Sequence, residues 1–362
     1  MNRTPRSDTH IRIRRTVKVI WPFAIAIVIF SGVRLAAGNP DLIENYYSKG
    51  FYPLFALISS SVSRLFPVPL WDIFWVLMIL VFITGAVMVM TRRVSPGTFF
   101  LKVFQVLSLM YAFFYISWGF NYFRPDIGKR MGFEVMSVDT SLFRSMLDSV
   151  ILLTNENYTE VSLTDYNEID QSIESSYRIN SKLLDINYPN GHRRPKSMLF
   201  SNLIAKFGIS GYFGPFFNEI NLNRRLLPME YPFLLAHEKA HQFGVSNEAE
   251  ANLVALIVCT RSEDPKLNYS GYLALLLYFL EDAQYFSDYR EYLGKIDKPV
   301  LEELRFRQQY YSGLQNEVMG KAQETVYDAY LKTNHISRGI ENYNQIVELA
   351  ISWFRHVSKL SI

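Results

Sequence analysis

The chain has 362 residues, and its 37 basic and 34 acidic side chains give a formal charge of +3, too small to indicate a nucleic-acid-binding protein. Apolar residues make up 49% and aromatic residues 15%, which is rich for a soluble domain and indicates membrane segments. A single cysteine, Cys259, excludes an intrachain disulfide, and its apolar surroundings predict a buried structural thiol.

Three apolar runs near the N-terminus are long enough to cross a lipid bilayer. They cover residues 19–37, 71–90 and 99–118. A cleaved signal peptide is the competing interpretation of the first run, because basic residues precede it and small residues end it. The two later runs favour membrane helices instead. The sequence therefore predicts a basic tail at 1–18 and a membrane domain at 19–120 with three transmembrane helices.

Basic residues indicate how these helices are oriented. Arg and Lys precede the first run, and Arg92 and Arg93 follow the second, so the positive-inside rule places the N-terminus in the cytoplasm. The third helix then leads outward, and residues 121–362 are expected to form one extracytoplasmic domain. The loop at 39–69 would also be external, with an apolar patch at 51–59 that is too short to span and is expected to be an interfacial or packed helix.

The external part is predicted to be mainly α within an α+β domain. Helices are expected at 139–154, 163–184, 269–285 and 343–357, and a long charged helix or helix pair at 298–330. Residues 197–220 alternate short apolar runs with glycine and proline, which favours strands and turns.

Residues 237–241, His-Glu-Lys-Ala-His, match the pattern H-E-x-x-H. On a helix this spacing puts two imidazoles on one face, where His237 and His241 can bind Zn²⁺ and Glu238 can act as a base toward water. Pro232 suits the first turn of such a helix, and Gly244 lies where a C-cap glycine belongs. Such a motif also occurs by chance on ordinary helices, but the apolar flanks and the glycine break favour a metal site.

A catalytic zinc site needs a third protein ligand. Asn247 is expected to be the N-cap of the next helix, with Glu250 closing a capping box. That leaves Glu248 as the expected ligand and Glu250 as the reserve. Asn252 lies four residues after Glu248 and is expected to hydrogen-bond a ligand. The pair resembles the Glu-x-x-x-Asp/Asn element of the gluzincin metalloproteases, although the link from His241 is shorter here.

Nearly the whole chain resembles an uncharacterised family of bacterial membrane proteins, a domain of unknown function with an H-E-x-x-H sequence. The similar segments are residues 39–40, 46–48, 118–122, 211–223, 237–241, 248–252, 269–272 and 327–332. The resemblance implies a membrane-anchored, zincin-like fold in the bacterial cytoplasmic membrane, and it implies no substrate.

The resemblance also draws attention to residues outside the motif. Glu219 and Asn223 lie on an apparent strand that, in zincin-like folds, can border the cleft and bind an extended substrate; alternatively, both satisfy local backbone groups. Tyr343 is a candidate donor to an oxyanion, with burial at a helix start as the alternative. His335 and His356 are distant alternatives for the third ligand.

Together, these features predict a zinc-dependent peptidase that hydrolyses a polypeptide of the cell envelope. The alternative is a membrane-anchored sensor or scaffold in which zinc is structural or absent. A glutamate between the two histidines favours the peptidase, because a purely structural site does not need it.

Overall fold

The computed structural model describes residues 5–188, 193–333 and 345–360, and helices dominate this part of the chain. The helices are α1 (Pro5–Ala37), α2 (Pro40–Leu42), α3 (Tyr52–Ser63), α4 (Leu70–Met90), α5 (Pro96–Ser117), α6 (Ile127–Met131), α7 (Thr140–Glu156), α8 (Tyr166–Asn180), α9 (Ser201–Ala205), α10 (Tyr231–Gln242), α11 (Glu248–Thr260), α12 (Pro265–Ala283), α13 (Tyr289–Gly294), α14 (Lys298–Leu314), α15 (Glu317–Thr333) and α16 (Gln345–Leu360). The strands are β1 (Lys196–Ser197), β2 (Gly211–Gly214) and β3 (Glu219–Leu222).

Three helical segments are long and apolar enough to cross a membrane: Thr16–Ala37, Leu70–Met90 and Pro96–Ser117. They coincide with the three predicted runs to within three residues at each end. Most of their apolar side chains are exposed on the protein, as expected for helices whose solvent is lipid. The prediction of three candidate membrane helices is confirmed.

Contacts divide the chain into two compact units. The first contains Met1–Tyr52 and Leu70–Arg124, and so includes all three candidate spans. Within it, residues Ile43–Phe51 form a π-helix that is tied to the segment after the third span. Arg124 donates two hydrogen bonds, at 2.7 and 2.8 Å, to the buried carboxylate of Glu44, and Ser48 donates one to Asn121.

The second unit contains Pro53–Pro69 and Pro125–Ile362. The segment at 53–69 thus differs from the predicted arrangement, which placed it in the membrane domain at 19–120. Polar bonds explain the difference: the Ser63 hydroxyl donates to Glu219 at 2.7 Å, and the Lys196 ammonium donates to the Ser63 and Val68 carbonyls at 3.0 Å. The predicted apolar patch forms α3 and is packed, with Ala56 buried.

One apolar core fills the second unit, and α11 lies at its centre, with every residue from Glu248 to Cys259 buried. Helices α7, α8, α10, α12 and α16 contribute the surrounding side chains. Cys259 is fully buried and burial raises the pKa of its thiol, which fits the predicted structural role. The core therefore fixes α10 and α11, the two helices that carry the H-E-x-x-H motif and the residues after it.

A three-stranded sheet lies beside this core in the order β1-β3-β2. Strand β3 pairs in parallel with β1 and antiparallel with β2, with Tyr212 opposite Asn221. Strands and turns were predicted in this region, but the short helix α9 between β1 and β2 was not. Further along, the predicted charged segment at 298–330 is a helix pair, α14 and α15.

Candidate metal centre

Helix α10 carries both histidines, and local sequence determines where it begins and ends. Pro232 occupies the first turn, where its missing N–H costs no hydrogen bond. At the other end Gly244 has a φ of 83°, and the amides of Gly244 and Val245 each bond at 3.0 Å to the carbonyls of His241 and Ala240. This is a Schellman motif, which needs a residue in the left-handed conformation and so favours glycine.

The turn returns the chain at once to α11. The Asn247 side chain accepts a hydrogen bond from the Glu250 amide at 3.1 Å, so Asn247 is the predicted N-cap. Because the cap is only three residues beyond Gly244, Glu248 at the first position of α11 lies directly against the histidine face of α10. The link from His241 to Glu248 is shorter than in the gluzincin pattern, but it still places a carboxylate beside the two histidines.

Three potential ligand atoms form a nearly equilateral triangle. The Nε2 atoms of His237 and His241 are 3.1 Å apart, and Oε2 of Glu248 lies 3.2 Å from the first and 3.3 Å from the second. Ligand atoms at about 2.0 to 2.1 Å from a tetrahedral ion lie about 3.3 to 3.4 Å from one another. All three residues are buried, and in the described part of the chain they form a group that could hold a metal ion. The donor set and its spacing therefore fit a small tetrahedral cation.

Neighbouring groups orient two of these ligands. Nδ1 of His241 donates to the Val245 carbonyl at 2.7 Å, which leaves Nε2 as the ring nitrogen that can bind a metal. The Tyr327 hydroxyl donates to Oε1 of Glu248, so Oε2 is the oxygen that faces the histidines. Nδ1 of His237 has no hydrogen-bond partner among the described residues.

The electrostatics of these three residues also favour a cation. Burial by itself raises the pKa of Glu248, but the adjacent imidazoles hold that pKa well below its usual value. Burial lowers the pKa of His241, yet the Glu248 carboxylate outweighs it and raises the pKa to about 9. A divalent cation bound by these three residues would compete with protonation of His241.

Glu238 lies on the side of α10 that faces strand β2. Burial raises the pKa of its carboxyl group, and Oε2 has no hydrogen-bond partner among the described residues. A Cβ atom placed on Gly211 would lie only 2.7 Å from Oε1 of Glu238. The absence of a side chain at Gly211 is therefore what lets the strand approach this carboxylate.

Glu219 and Asn223 occupy different surroundings from those predicted for substrate-binding residues. Strand β3, which carries Glu219, pairs with β2 along its whole length and with β1 at Asn221 and Leu222. The Glu219 carboxylate accepts from Lys196 and Ser63, both at 2.7 Å. The Asn223 amide donates to the Ser201 and Ile209 carbonyls at 3.0 and 2.9 Å. Both side chains therefore satisfy local groups, and β2 is the strand at the sheet edge nearest Glu238.

Two further predicted residues also have other partners. The Glu250 carboxylate accepts from the Ile127 amide at 2.8 Å and from Arg130 at 2.6 Å, which separates it from the histidines. The Glu250 carboxylate therefore does not close the predicted capping box. Asn252 contacts Tyr278, and its Nδ2 atom has no hydrogen-bond partner among the described residues.

Three predicted candidates remain: Tyr343, His335 and His356. Tyr343 and His335 lie outside the described residues. The ring of His356 packs against Phe133 and Trp353, with ring centroids 6.0 and 5.9 Å away, as expected for a side chain in an aromatic cluster. Tyr327 is the site residue that no motif predicted, because it lies 79 residues from its partner Glu248.

Behind α10 lies a buried ionic cluster that holds the helix from the opposite side. The Lys239 ammonium is fully buried and bonds to Glu174 at 2.6 Å, to Asp170 at 3.3 Å and to the Arg193 carbonyl at 2.7 Å. Burial raises the pKa of Glu174, but Lys239 and its other partners outweigh this effect and lower it. Since Lys239 lies between the histidines in sequence, this cluster restrains the helix at the metal site itself.

Comparison with known protein families identifies one match. The family model described as "Protein of unknown function (DUF3810)" matches residues 47–351, and the chain belongs to this family. Comparisons with curated proteins and with solved structures find no match.

Proposed function

We propose that this member of the DUF3810 family is a membrane-anchored, zinc-dependent peptidase with a zincin-like domain. The observation that carries the proposal is the triangle of His237, His241 and Glu248 ligand atoms, with edges of 3.1 to 3.3 Å, on the helix that also carries Glu238. Two imidazoles and one carboxylate form the donor set of many catalytic zinc sites, which keep a fourth position open.

The donor set favours zinc over the common hard cations. Ca²⁺ and Mg²⁺ prefer six or more oxygen ligands, whereas two of the three ligand atoms here are imidazole nitrogens. Bound zinc would polarise a substrate carbonyl and make a water more acidic. The chain's own contribution is to hold the three ligands in place and to keep bulk solvent from them.

Glu238 is the proposed general base and acid. Its carboxylate is buried beside the ligand helix face, and its raised pKa brings proton uptake closer to neutral pH. In peptide hydrolysis, the carboxylate would accept a proton from the attacking water and deliver it to the leaving amine. Oε2 of Glu238 has no hydrogen-bond partner among the described residues, which suits a group that exchanges protons with a transient partner.

Strand β2 is the proposed binding site for the substrate backbone. It is paired with β3 along one edge, and its Gly211 lies against Glu238. An extended peptide that adds to the outer edge of β2 would place its own carbonyl groups beside the catalytic carboxylate. In this proposal, recognition of the substrate backbone is assigned to β2 instead of to the strand that carries Glu219 and Asn223.

We place the second unit outside the cytoplasm of a bacterial cell, with the N-terminus inside. The distribution of basic residues around the candidate spans supports this orientation. A phosphatase reporter fused after Asp126 should be active and one fused after Arg93 inactive; the reverse pattern would contradict the orientation. The expected substrate is then a polypeptide of the cell envelope, close to the lipid bilayer.

A non-catalytic sensor or scaffold is the second candidate function. The burial of all three ligands favours it, because structural metal ions are enclosed by their proteins. Glu238 separates the two functions, since a structural site has no use for a base beside it. In the scaffold, substitution of Glu238 would leave cellular function intact, whereas loss of a ligand would not.

The test is a comparison of Glu238→Gln with His237→Ala in the full-length protein. We expect Glu238→Gln to retain about one zinc by elemental analysis and to lose peptide hydrolysis, and His237→Ala to lose both. Envelope peptides from cells with each variant show the substrate, and the inactive Glu238→Gln protein can trap it. If the peptides do not change and the trap recovers only cell-wall fragments, the enzyme is another amide hydrolase.

A further inference from the structure

We propose that Tyr327 is a positioning residue that determines which oxygen of Glu248 binds the metal, and that metal binding thereby fixes helix α15 at the site. This inference rests on the metal site of the proposed function, and it goes further by assigning a role to a residue far along the chain. Tyr327 lies in α15, whereas the three ligands lie in α10 and at the start of α11.

The two oxygens of the Glu248 carboxylate have different surroundings. Oε1 accepts the Tyr327 hydroxyl hydrogen. Oε2 faces the Nε2 atoms of His237 and His241 at 3.2 and 3.3 Å. A carboxylate can bind a metal through one oxygen or through both, and a hydroxyl bond to one oxygen favours binding through the other. Tyr327 would thus favour binding of a metal ion through Oε2 alone.

Helix α15 buries little apolar surface among the described residues. Leu331 is its buried residue there, and apolar side chains such as Val318 and Val326 are 78% and 72% exposed. Because apolar burial supplies most of the energy that holds a helix in place, the hydroxyl bond from Tyr327 to a buried carboxylate contributes to holding α15 beside the candidate metal site.

The preceding helix α14 is held differently. Its Arg307 and Tyr311 both donate to Glu230 before α10, at 2.6 and 2.5 Å, and Asn316 just beyond it donates its amide to the Lys206 carbonyl at 2.9 Å. The chain is therefore fixed up to Asn316, and α15 extends from that point toward the metal site. A metal ion bound to Oε2 would hold the Glu248 carboxylate in one orientation, so it would also hold the Tyr327 hydroxyl, and with it α15, at the site.

A matched tyrosine–glutamate pair elsewhere in the same unit supplies a control. The Tyr269 hydroxyl donates to Glu303 at 2.5 Å, and neither residue belongs to the metal site. Tyr327→Phe and Tyr269→Phe each remove one hydroxyl that donates to a carboxylate. Only the first is expected to change how the protein binds metal, because only Glu248 is a ligand.

The first measurement is the affinity of the purified full chain for Zn²⁺, by competition with a chromophoric chelator. Loss of a group that orients a ligand weakens metal binding by about 10- to 100-fold. We expect that loss for Tyr327→Phe and an unchanged affinity for Tyr269→Phe. Wild-type affinity in a folded Tyr327→Phe protein would overturn the inference while leaving the proposed function intact. Absence of Zn²⁺ uptake by the wild type would overturn both.

The second measurement uses spectra and hydrogen exchange. Substitution with Co²⁺ gives visible bands that depend on coordination geometry, and we expect these bands to change in Tyr327→Phe and to stay the same in Tyr269→Phe. We also expect Zn²⁺ to slow amide exchange in 317–333 of the wild type but not of Tyr327→Phe. Equal protection of this segment by Zn²⁺ in both proteins would show that α15 is not coupled to the metal.

Discussion

Replacement of Gly211 by alanine tests the proposed relation between strand β2 and the catalytic carboxylate. The new Cβ would lie 2.7 Å from Oε1 of Glu238, 3.1 Å from its Cγ and 3.1 Å from Cδ2 of Leu222. Separations below 3.0 Å do not occur for real Cβ atoms, so either the carboxylate or the strand must move. The backbone at Gly211 has an ordinary φ, so alanine itself adds no conformational strain.

The size of the effect follows from the required displacement. Relief of the contact to an ordinary separation of about 3.4 to 4 Å requires a movement of about 1 Å, and overpacking of this kind costs about 1 to 3 kcal/mol of stability. Misplacement of a catalytic group by about 1 Å costs about 100-fold in rate. We therefore expect Gly211→Ala to lose peptide hydrolysis about 100-fold and to keep its zinc, since the three atoms nearest the new methyl group belong to Glu238 and Leu222 and not to a ligand.

The assay compares Gly211→Ala with Gly313→Ala, in which the added methyl group meets no atom within 4 Å. Hydrolysis of the substrate recovered with Glu238→Gln, bound zinc and thermal unfolding are measured for both. We expect Gly313→Ala to match the wild type in all three. Wild-type hydrolysis by Gly211→Ala would refute the placement of Glu238 against β2 during the reaction.

Two further predictions concern buried charges of the second unit. Lys196→Met removes the cation that pairs with the buried Glu219 carboxylate. Because breaking a buried ion pair costs about 3 to 5 kcal/mol, the melting temperature of this variant should fall sharply. The control Lys298→Met breaks an exposed ion pair and should leave the melting temperature nearly unchanged. The pKa of Glu174 is lower in the folded protein than in the unfolded chain. The ionised carboxylate therefore contributes its full stabilisation at pH values above its ordinary pKa of about 4.3, and this contribution disappears as the pH falls through the pKa of the folded state. Acid should therefore reduce the difference in melting temperature between the wild type and Glu174→Gln; a constant difference would exclude this linkage.

The features that sequence predicted correctly depend on local patterns. Candidate spans are evident because a run of about 20 apolar residues matches the thickness of a bilayer and is rare in a soluble domain. The cap at Asn247 and the turn at Gly244 are determined by residues within one helical turn, and so is the spacing of His237 and His241. Once these three local features are known, little freedom remains for the position of Glu248.

Other features required contacts between distant residues. Strand β3 is central rather than an edge because Lys196 pairs with Asn221 across 25 residues, and a two-residue strand such as β1 has no pattern of its own. Likewise, the membership of 53–69 in the second unit depends on bonds from Ser63 to Glu219, 156 residues later. Tyr327 is one of 23 tyrosines, and although it lies in a segment that resembles the family, only its contact with Glu248 assigns it to the site.

The surroundings of Glu238 bear on whether the motif is functional. On an ordinary helix the second residue of H-E-x-x-H would be a solvated charge, but here Glu238 is 4% exposed and Oε2 has no hydrogen-bond partner among the described residues. Burial of a carboxylate with one oxygen that lacks a hydrogen bond opposes folding, so this position is costly unless function requires it. Lys239, next in sequence, is even more deeply buried but bonds to Glu174, Asp170 and a backbone carbonyl.

This contrast predicts opposite stability effects for two adjacent substitutions. Glu238→Gln replaces a buried charge with a neutral group of the same size, so the metal-free protein should become more stable by about 1 to 3 kcal/mol while hydrolysis is lost. Lys239→Met leaves two carboxylates buried without their cation and should destabilise the same protein by about 3 to 5 kcal/mol. Denaturant unfolding of both metal-free variants measures the two changes. If the Glu238→Gln protein is less stable than the wild type, this carboxylate supports the fold. Its burial would then no longer be evidence that the motif is catalytic.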